Sequence, residues 1–152
     1  AQGKYFVRTG NTTYGVQNLA YDAALQRWFL GVYKGKKPSF PNYGMFAIDA
    51  RTRPLRGDLI GVPAAHGDGA EQGQLLALAE DGLKDPATGL RGWNQKADVG
   101  LQPIGGGLFY LAVNSGTRGQ QTGEVRLHRW TDESTAPLVP ATAADVARWS
   151  AR

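Results

Sequence analysis

One segment of the chain occurs twice, at a constant spacing of 81 residues. Residues 28–32 (Trp-Phe-Leu-Gly-Val) match residues 109–113 (Phe-Tyr-Leu-Ala-Val) position by position, and the match continues without a gap to Phe46 and Leu127. Both copies are rich in the aromatic and aliphatic residues that favour strands. A single strand–loop–strand unit cannot bury both of its faces, so the repeat predicts units that pack on one another.

The repeat divides the chain into units. We predict β-meander units over about residues 15–50 and 100–132, a degenerate unit over about residues 55–95, and a helix over residues 142–150. Thr142 would cap this helix, with Asp145 at its third position. The predicted fold is therefore a single all-β domain of antiparallel, repeated β-meander units, like a partial or small β-propeller, with a short C-terminal helix. A compact β-sandwich or barrel is the alternative.

The alignment of the two units also predicts where their connections lie. A nine-residue, turn-rich loop follows the apolar strand in both copies, at Lys34–Asn42 and at Ser115–Gly123. Upstream, Gly15–Gln17 matches Gly100–Gln102 if the second hairpin loop is four residues shorter. That shorter loop would be the turn Gly105–Gly107. The 21 glycines and 8 prolines of the chain fit such a turn-rich fold.

Charge and composition exclude several classes of protein. The net charge is +4, but the only dense basic run is Lys34, Lys36 and Lys37, so we expect no nucleic-acid partner. No run approaches the roughly 20 apolar residues of a membrane span. The chain has no cysteine, which excludes disulfides and thiolate metal sites. Its abundance of Gly, Asn, Gln and aromatic residues favours a secreted or periplasmic bacterial protein.

The first unit resembles a known class of fold. Ala20-Tyr21-Asp22, followed by Arg27-Trp28-Phe29-Leu30-Gly31-Val32-Tyr33, is similar to strand pairs of secreted bacterial β-propellers, including sialidase-like and family-43-like glycosidases. The resemblance implies a propeller-like fold and a carbohydrate ligand. The Asp-box motif of sialidases, Ser-x-Asp-x-Gly-x-Thr-Trp, is absent. Because a propeller has 4–8 blades, the resemblance also implies that the chain is part of a larger propeller.

Catalytic and metal sites are not indicated by the sequence. A glycosidase needs two carboxylates, and Asp22 and Asp49 stand at strand ends of the first unit, but the second unit has no carboxylate to match either. We therefore interpret both as turn residues. His66, Asp68 and Glu71 do not follow a zinc or EF-hand spacing, and a glycine-rich surface loop is expected there. No catalytic residue, metal or cofactor is predicted.

Aromatic residues in or beside loops are the candidate binding residues. Tyr33, Tyr43, Trp93 and Tyr110 could stack on sugar rings, and Asn114 could add hydrogen bonds. Packing in the core is the alternative role for the same rings. Clustering of Tyr33, Trp93 and Tyr110 in one open groove would favour binding.

Three functions follow in order of preference. The first is a non-enzymatic module of an exported bacterial protein that binds carbohydrate or another protein. The second is part of a glycosidase-like propeller enzyme, which would require two carboxylates roughly 5–9.5 Å apart in a pocket. The third is a structural or assembly domain that associates with itself or pairs with the rest of a longer chain, as a long uncovered strand edge would suggest.

Overall fold

A computed structural model describes residues 3–151 of the chain. The elements in chain order are β1 (Tyr5–Phe6), β2 (Thr12–Asp22), β3 (Arg27–Lys34), β4 (Met45–Asp49), β5 (Leu55–Pro63), β6 (Ala70–Leu75), β7 (Leu83–Lys84), β8 (Arg91–Gly92), β9 (Gly100–Gly105), β10 (Leu108–Thr117), β11 (Gln120–Trp130), β12 (Leu138–Pro140) and α1 (Ala143–Ser150). The predicted all-β fold with a short C-terminal helix is confirmed. None of the sheets formed by the described residues closes into a barrel.

Both predicted repeat units are antiparallel meanders. The first meander consists of β2, β3 and β4, and the second consists of β9, β10 and β11, with β12 added at its edge. Residues 55–95, predicted as a degenerate unit, form two separate hairpins, β5–β6 and β7–β8. Strand β1 adds to β6 in parallel. A propeller arrangement of these sheets remains a prediction.

The first meander is buried on both faces, which explains why β3 is so apolar. On one face Phe29 packs edge to face against Phe109 of β10, with ring centroids 5.3 Å apart, and Trp130 of β11 packs against both rings. On the other face Leu30 and Val32 belong to a second core cluster, over which residues from β1 to the β7–β8 hairpin pack. The described chain therefore forms three layers.

The two meanders pack head to tail. At the spacing of 81 residues, Phe29 corresponds to Tyr110, whereas its contact partner Phe109 corresponds to Trp28. Successive side chains of a strand point to opposite faces. The Phe29 face of the first meander therefore packs against the opposite kind of face of the second. Consequently, the face of the second meander that carries Tyr110 points away from the first meander.

The closest approach of the two meanders is at Gly31. A Cβ atom at this position would lie 1.8 Å from the carbonyl oxygen of Ala97, just before β9. Next to it, Asn18 Nδ2 donates hydrogen bonds to the carbonyl oxygens of Ala97 and Asp98, at 2.9 Å and 3.1 Å. A glycine in β3 and an asparagine in β2 therefore fix how the second meander lies on the first.

The predicted loop at Ser115–Gly123 is wrong. Strands β10 and β11 continue through this segment as one long hairpin, in which Thr117 pairs with Gln120. The two-residue turn between them includes Gly119, whose φ of +89° suits glycine. Only the first meander has a long connection between its second and third strands, at residues 35–44.

The repeat alignment holds for the central strands but slips beside them. Leu30 pairs with Phe46 in the first meander, so the spacing of 81 predicts that Leu111 pairs with Leu127. Leu111 instead pairs with Arg126. A shift of one residue moves every side chain of the strand to the other face.

The upstream alignment of Gly15–Gln17 with Gly100–Gln102 is also wrong. Leu101 pairs with Leu111, whose equivalent in the first meander, Leu30, pairs with Leu19. The structural counterpart of Leu101 is therefore Leu19. Two register irregularities in the first half of β2 account for the misalignment.

Helix α1 begins and ends as predicted, and its capping box is formed. Asp145 N–H donates to Thr142 Oγ1 (3.3 Å), and Thr142 N–H donates to Asp145 Oδ2 (2.8 Å). The hydrogen bonds from Thr142, backbone first, hold the pKa of Asp145 below its ordinary value, and Arg148 and Arg129 act in the same direction. The indole N–H of Trp149 donates to Ile104 of β9, at 3.3 Å. The helix thus covers one end of the Tyr110 side of the second meander.

Within residues 3–151, no helix is long and apolar enough to cross a lipid bilayer.

Candidate functional site

Two of the five predicted binding residues lie in the core. Trp93 is 1% exposed, and its ring packs edge to face against Trp130 at 5.6 Å. Tyr43 is also buried and contacts Phe46, and burial raises the pKa of its hydroxyl, with Asp85 acting in the same direction. Neither ring is available to stack on a sugar. An open groove that includes Trp93 is therefore not formed.

Tyr33 lies on a different side of the molecule from Tyr110. It is half-buried and lies on the same face of β3 as Phe29. Its ring makes an edge-to-face contact with Tyr14, at 5.6 Å between centroids, and Tyr14 is 75% exposed. Tyr110 lies on the face of β10 opposite Phe109, so the two predicted tyrosines do not share a surface.

Tyr110 and Asn114 do share a surface, the outer face of the second meander. Both are exposed, and they stand four residues apart on the regular strand β10, about 13 Å along it. Ala112 lies between them on the same face. We call this surface the Tyr110 face. It comprises Tyr110, Ala112, Asn114 and Gly116 of β10, Gly100 and Gln102 of β9, and Gln121, Gly123 and Val125 of β11.

Small residues make the Tyr110 face a shallow, open trough. Gly123 pairs with Asn114, and a Cβ atom at Gly123 would meet no other atom within 4 Å. Gly100 pairs with Ala112, and a Cβ there would meet only Ala112, at 2.9 Å for its Cβ. Exposed amides stand around this floor, because Gln102 pairs with Tyr110. The amide nitrogen of Gln102 donates to its neighbour Pro103, which leaves its carbonyl oxygen as an acceptor.

The Tyr110 face is a more polar version of a buried face. In the first meander, the equivalent positions are Phe29 and Tyr33, and that face is covered by the second meander. In the second meander, a tyrosine and an asparagine take their places, at 110 and 114. Terminal units of stacked-repeat proteins carry such polar outer faces. The sequence signal for this face was therefore the difference between the two copies.

A second exposed aromatic pair lies on the first meander and was not predicted as a site. Tyr21 and Trp28 are cross-strand neighbours whose ring centroids are 5.0 Å apart, and each is 41% exposed. Leu19 is exposed on the same face. Apolar side chains surround this pair, which distinguishes it from the Tyr110 face.

The largest cavity is an apolar groove of about 620 Å³. We call it the apolar groove. Its apolar lining includes Phe6, Val7, Phe40, Ile60, Val62 and Leu76. Four charged residues also line it: Arg8, Asp58, Glu80 and Arg91. Sequence reasoning missed this site because its residues come from separate segments of the chain, none with a recognisable motif.

The carboxylates at the strand ends stabilise turns. Asp22 is buried and its Oδ1 accepts a hydrogen bond from Leu25 N–H (2.8 Å) in the β2–β3 loop. Asp49 accepts hydrogen bonds from the side chain and the backbone N–H of Arg51, and these lower its pKa to about 2. These contacts match the interpretation of both residues as turn residues.

The segment containing His66, Asp68 and Glu71 connects β5 to β6. It is largely exposed, and Glu71 Oε2 accepts a hydrogen bond from Ala65 N–H at 3.4 Å. No group of three or more His, Asp or Glu side chains in residues 3–151 is arranged to hold a metal ion.

Comparison of the chain with protein-family models, curated proteins and solved structures found no match in any of the three.

Proposed function

We propose that this protein is a non-enzymatic module that binds a neutral carbohydrate at the Tyr110 face. The observation that carries the proposal is an exposed aromatic ring, 43% accessible, flanked by amide side chains over a floor of small residues. An exported location, where polysaccharides are abundant, is part of the same proposal.

The chemistry of the face matches what a sugar ring presents. One side of a pyranose carries C–H groups, which pack on an aromatic ring, and its edge carries hydroxyls, which need donors and acceptors. Tyr110 supplies the ring. Gln102 and Asn114 supply both donors and acceptors at its two sides.

The absence of charge on this face favours a neutral sugar. The residues that define the Tyr110 face include no charged side chain. The nearby Glu124 and Arg126 pair with Val113 and Leu111, which places them on the opposite face, and they form an ion pair with each other at 2.6 Å. The amide-rich surroundings also favour a sugar over an apolar protein surface.

The test is a glycan array probed with the purified chain, followed by calorimetric titration of the strongest oligosaccharide. Replacing Tyr110 with Ala removes the stacking platform and should weaken binding about tenfold, since such aromatic contacts contribute roughly 0.5–1.5 kcal/mol beyond buried area. Tyr110→Phe keeps the ring and should bind within about threefold of wild type. Asn114→Ala should lose one hydrogen bond, equivalent to about a threefold to tenfold loss.

Tyr14→Ala is the matched control, because Tyr14 is a highly exposed tyrosine on another surface. It should bind as wild type does. An array without any hit would contradict the proposal, and so would an oligosaccharide whose affinity is unchanged by Tyr110→Ala.

A further inference from the structure

We propose that the apolar groove is a second ligand site, which binds a small amphiphile with an apolar chain and one carboxylate, of the fatty-acid type. The groove shares no residue with the Tyr110 face. This site is therefore independent of carbohydrate binding and goes beyond it.

A wide bulge in β5 forms part of the groove. Asp58 pairs with Gln72 and Pro63 pairs with Ala70, so that the four residues 59–62 of β5 stand opposite the single residue Glu71. Gly61, with a φ of +86°, allows the chain to turn within the bulge. Ile60 and Val62 of this bulge line the groove while remaining 66% and 46% exposed. They are apolar surface that a ligand could cover.

The floor of the groove is continuous with the protein core. Leu90 lines the groove and is also a buried member of the core cluster around Leu30 and Phe46. Val7, Leu76 and Leu78 line the groove and pack against the same cluster. An acyl chain in the groove would therefore contact a preformed apolar surface, and a volume of about 620 Å³ lies in the range of small-molecule sites.

Two half-buried arginines give the groove a preference for an anion. Arg8 Nη1 donates to the carbonyl oxygen of Thr88 (3.0 Å), and Arg91 Nη1 donates to that of Glu80 (2.5 Å). These contacts position both guanidinium groups but use few of their five N–H donors each. Neither arginine forms an ion pair with any carboxylate of the described residues. Arginine N–H groups in an apolar setting are suited to bind a carboxylate.

The acidic residues of the groove do not cancel this preference. Asp58 and Glu80 are exposed, whereas the two arginines are half-buried. The carboxylate of Asp58 already accepts a hydrogen bond from the side chain of Gln72. The positive charge therefore lies deeper in the groove than the negative charge, which is the arrangement that suits a ligand with an apolar chain and an anionic head group.

The experiment is a calorimetric titration of the full chain with dodecanoate, below the concentration at which it forms micelles. Dodecyltrimethylammonium, with the same chain and a cationic head, should bind at least about tenfold more weakly. Octanoate, with four fewer methylenes, should also bind at least about tenfold more weakly than dodecanoate. Tyr110→Ala should bind dodecanoate as wild type does, which separates this site from the carbohydrate site.

Single substitutions locate the ligand. Arg8→Gln and Arg91→Gln should each weaken dodecanoate binding about tenfold, because each removes charged donors from the carboxylate. Arg53→Gln is the matched control, since Arg53 is exposed and lies outside the groove. Ile60→Ser, at an exposed position of the bulge, should weaken binding without unfolding the protein.

Three results would overturn the proposal. These are the lack of saturable dodecanoate binding, equal affinity for the cationic analogue, and Arg8→Gln and Arg91→Gln variants that bind as Arg53→Gln does. Circular dichroism of each variant establishes that a loss of binding is not a loss of fold.

Discussion

Replacing Gly31 with Ala tests the head-to-tail packing of the two meanders directly. The new Cβ atom would lie 1.8 Å from Ala97 O, 2.7 Å from Ala97 C and 3.1 Å from Asn18 Nδ2. The nearest two of these atoms belong to the backbone, so no side chain can move aside. The segment before β9 must instead retreat by about 1.6 Å to reach an ordinary contact of 3.4 Å.

The cost of that retreat can be worked from the contacts it disturbs. Asn18 would lose one or both hydrogen bonds to Ala97 and Asp98, at about 1 kcal/mol each. Overpacking in a close-packed interface typically costs about 1–3 kcal/mol. Alanine also lowers the entropy of the unfolded chain, which stabilises the fold by roughly 0.4–1 kcal/mol. The net expectation is a destabilisation of about 2–3 kcal/mol.

Urea unfolding followed by tryptophan fluorescence measures this change, because Trp93 and Trp130 lie within the affected core. Gly123→Ala is the matched control. It is also a strand glycine, and its new Cβ would meet nothing within 4 Å, so the variant should be as stable as wild type or up to about 1 kcal/mol more stable. If Gly31→Ala unfolds at the same urea concentration as Gly123→Ala, the packing described between β3 and Ala97 is refuted.

Two further predictions concern the turns of the first meander. The pKa of Asp49 is lowered from 3.8 to about 2 by its hydrogen bonds to Arg51, so its contribution to stability is complete above about pH 4 and is lost as the pH falls through about 2. Asp49→Asn should therefore be less stable than wild type at pH 7 in urea unfolding, with a difference that shrinks towards pH 2; a difference independent of pH would contradict this. Asp22→Ala removes the acceptor for Leu25 N–H in a buried loop and should lower stability by about 1–2 kcal/mol, as measured by thermal unfolding. Asp22→Asn keeps an acceptor oxygen and should lose less, so an equal loss in both variants would exclude this role.

The strands with strong hydrophobic patterns were predictable from the sequence, and the hairpin arm was not. Strand β3 is apolar at successive positions because both faces of the first meander are covered. The segment Ser115–Gly123 has no such pattern, since both of its faces are exposed. Its strand structure depends on backbone pairing across a two-residue turn, and polar residues with several glycines are typical of a loop when read alone.

The candidate residues differ in how far sequence could place them. Tyr110 and Asn114 lie on one strand, and the alternation of side chains is enough to put them on the same face. The burial of Trp93 depends on a bridge to Met45, 48 residues earlier in the chain, which no local pattern reveals. The apolar groove depends on similarly distant segments and on a bulge in β5 whose size is set by its pairing with β6.

The difference between the two copies links the packing of the domain to its proposed function. The face of the second meander that packs on Phe29 keeps its apolar character, because Phe109 and Leu111 replace Trp28 and Leu30. The outer face changes character instead, with Asn114 in place of Tyr33. A head-to-tail interface that repeats without closing would produce open-ended assembly, and an apolar outer face would invite it. The polar residues that end the stack also surround Tyr110 and leave its ring exposed, so the surface that terminates the packing is the surface suited to bind a sugar.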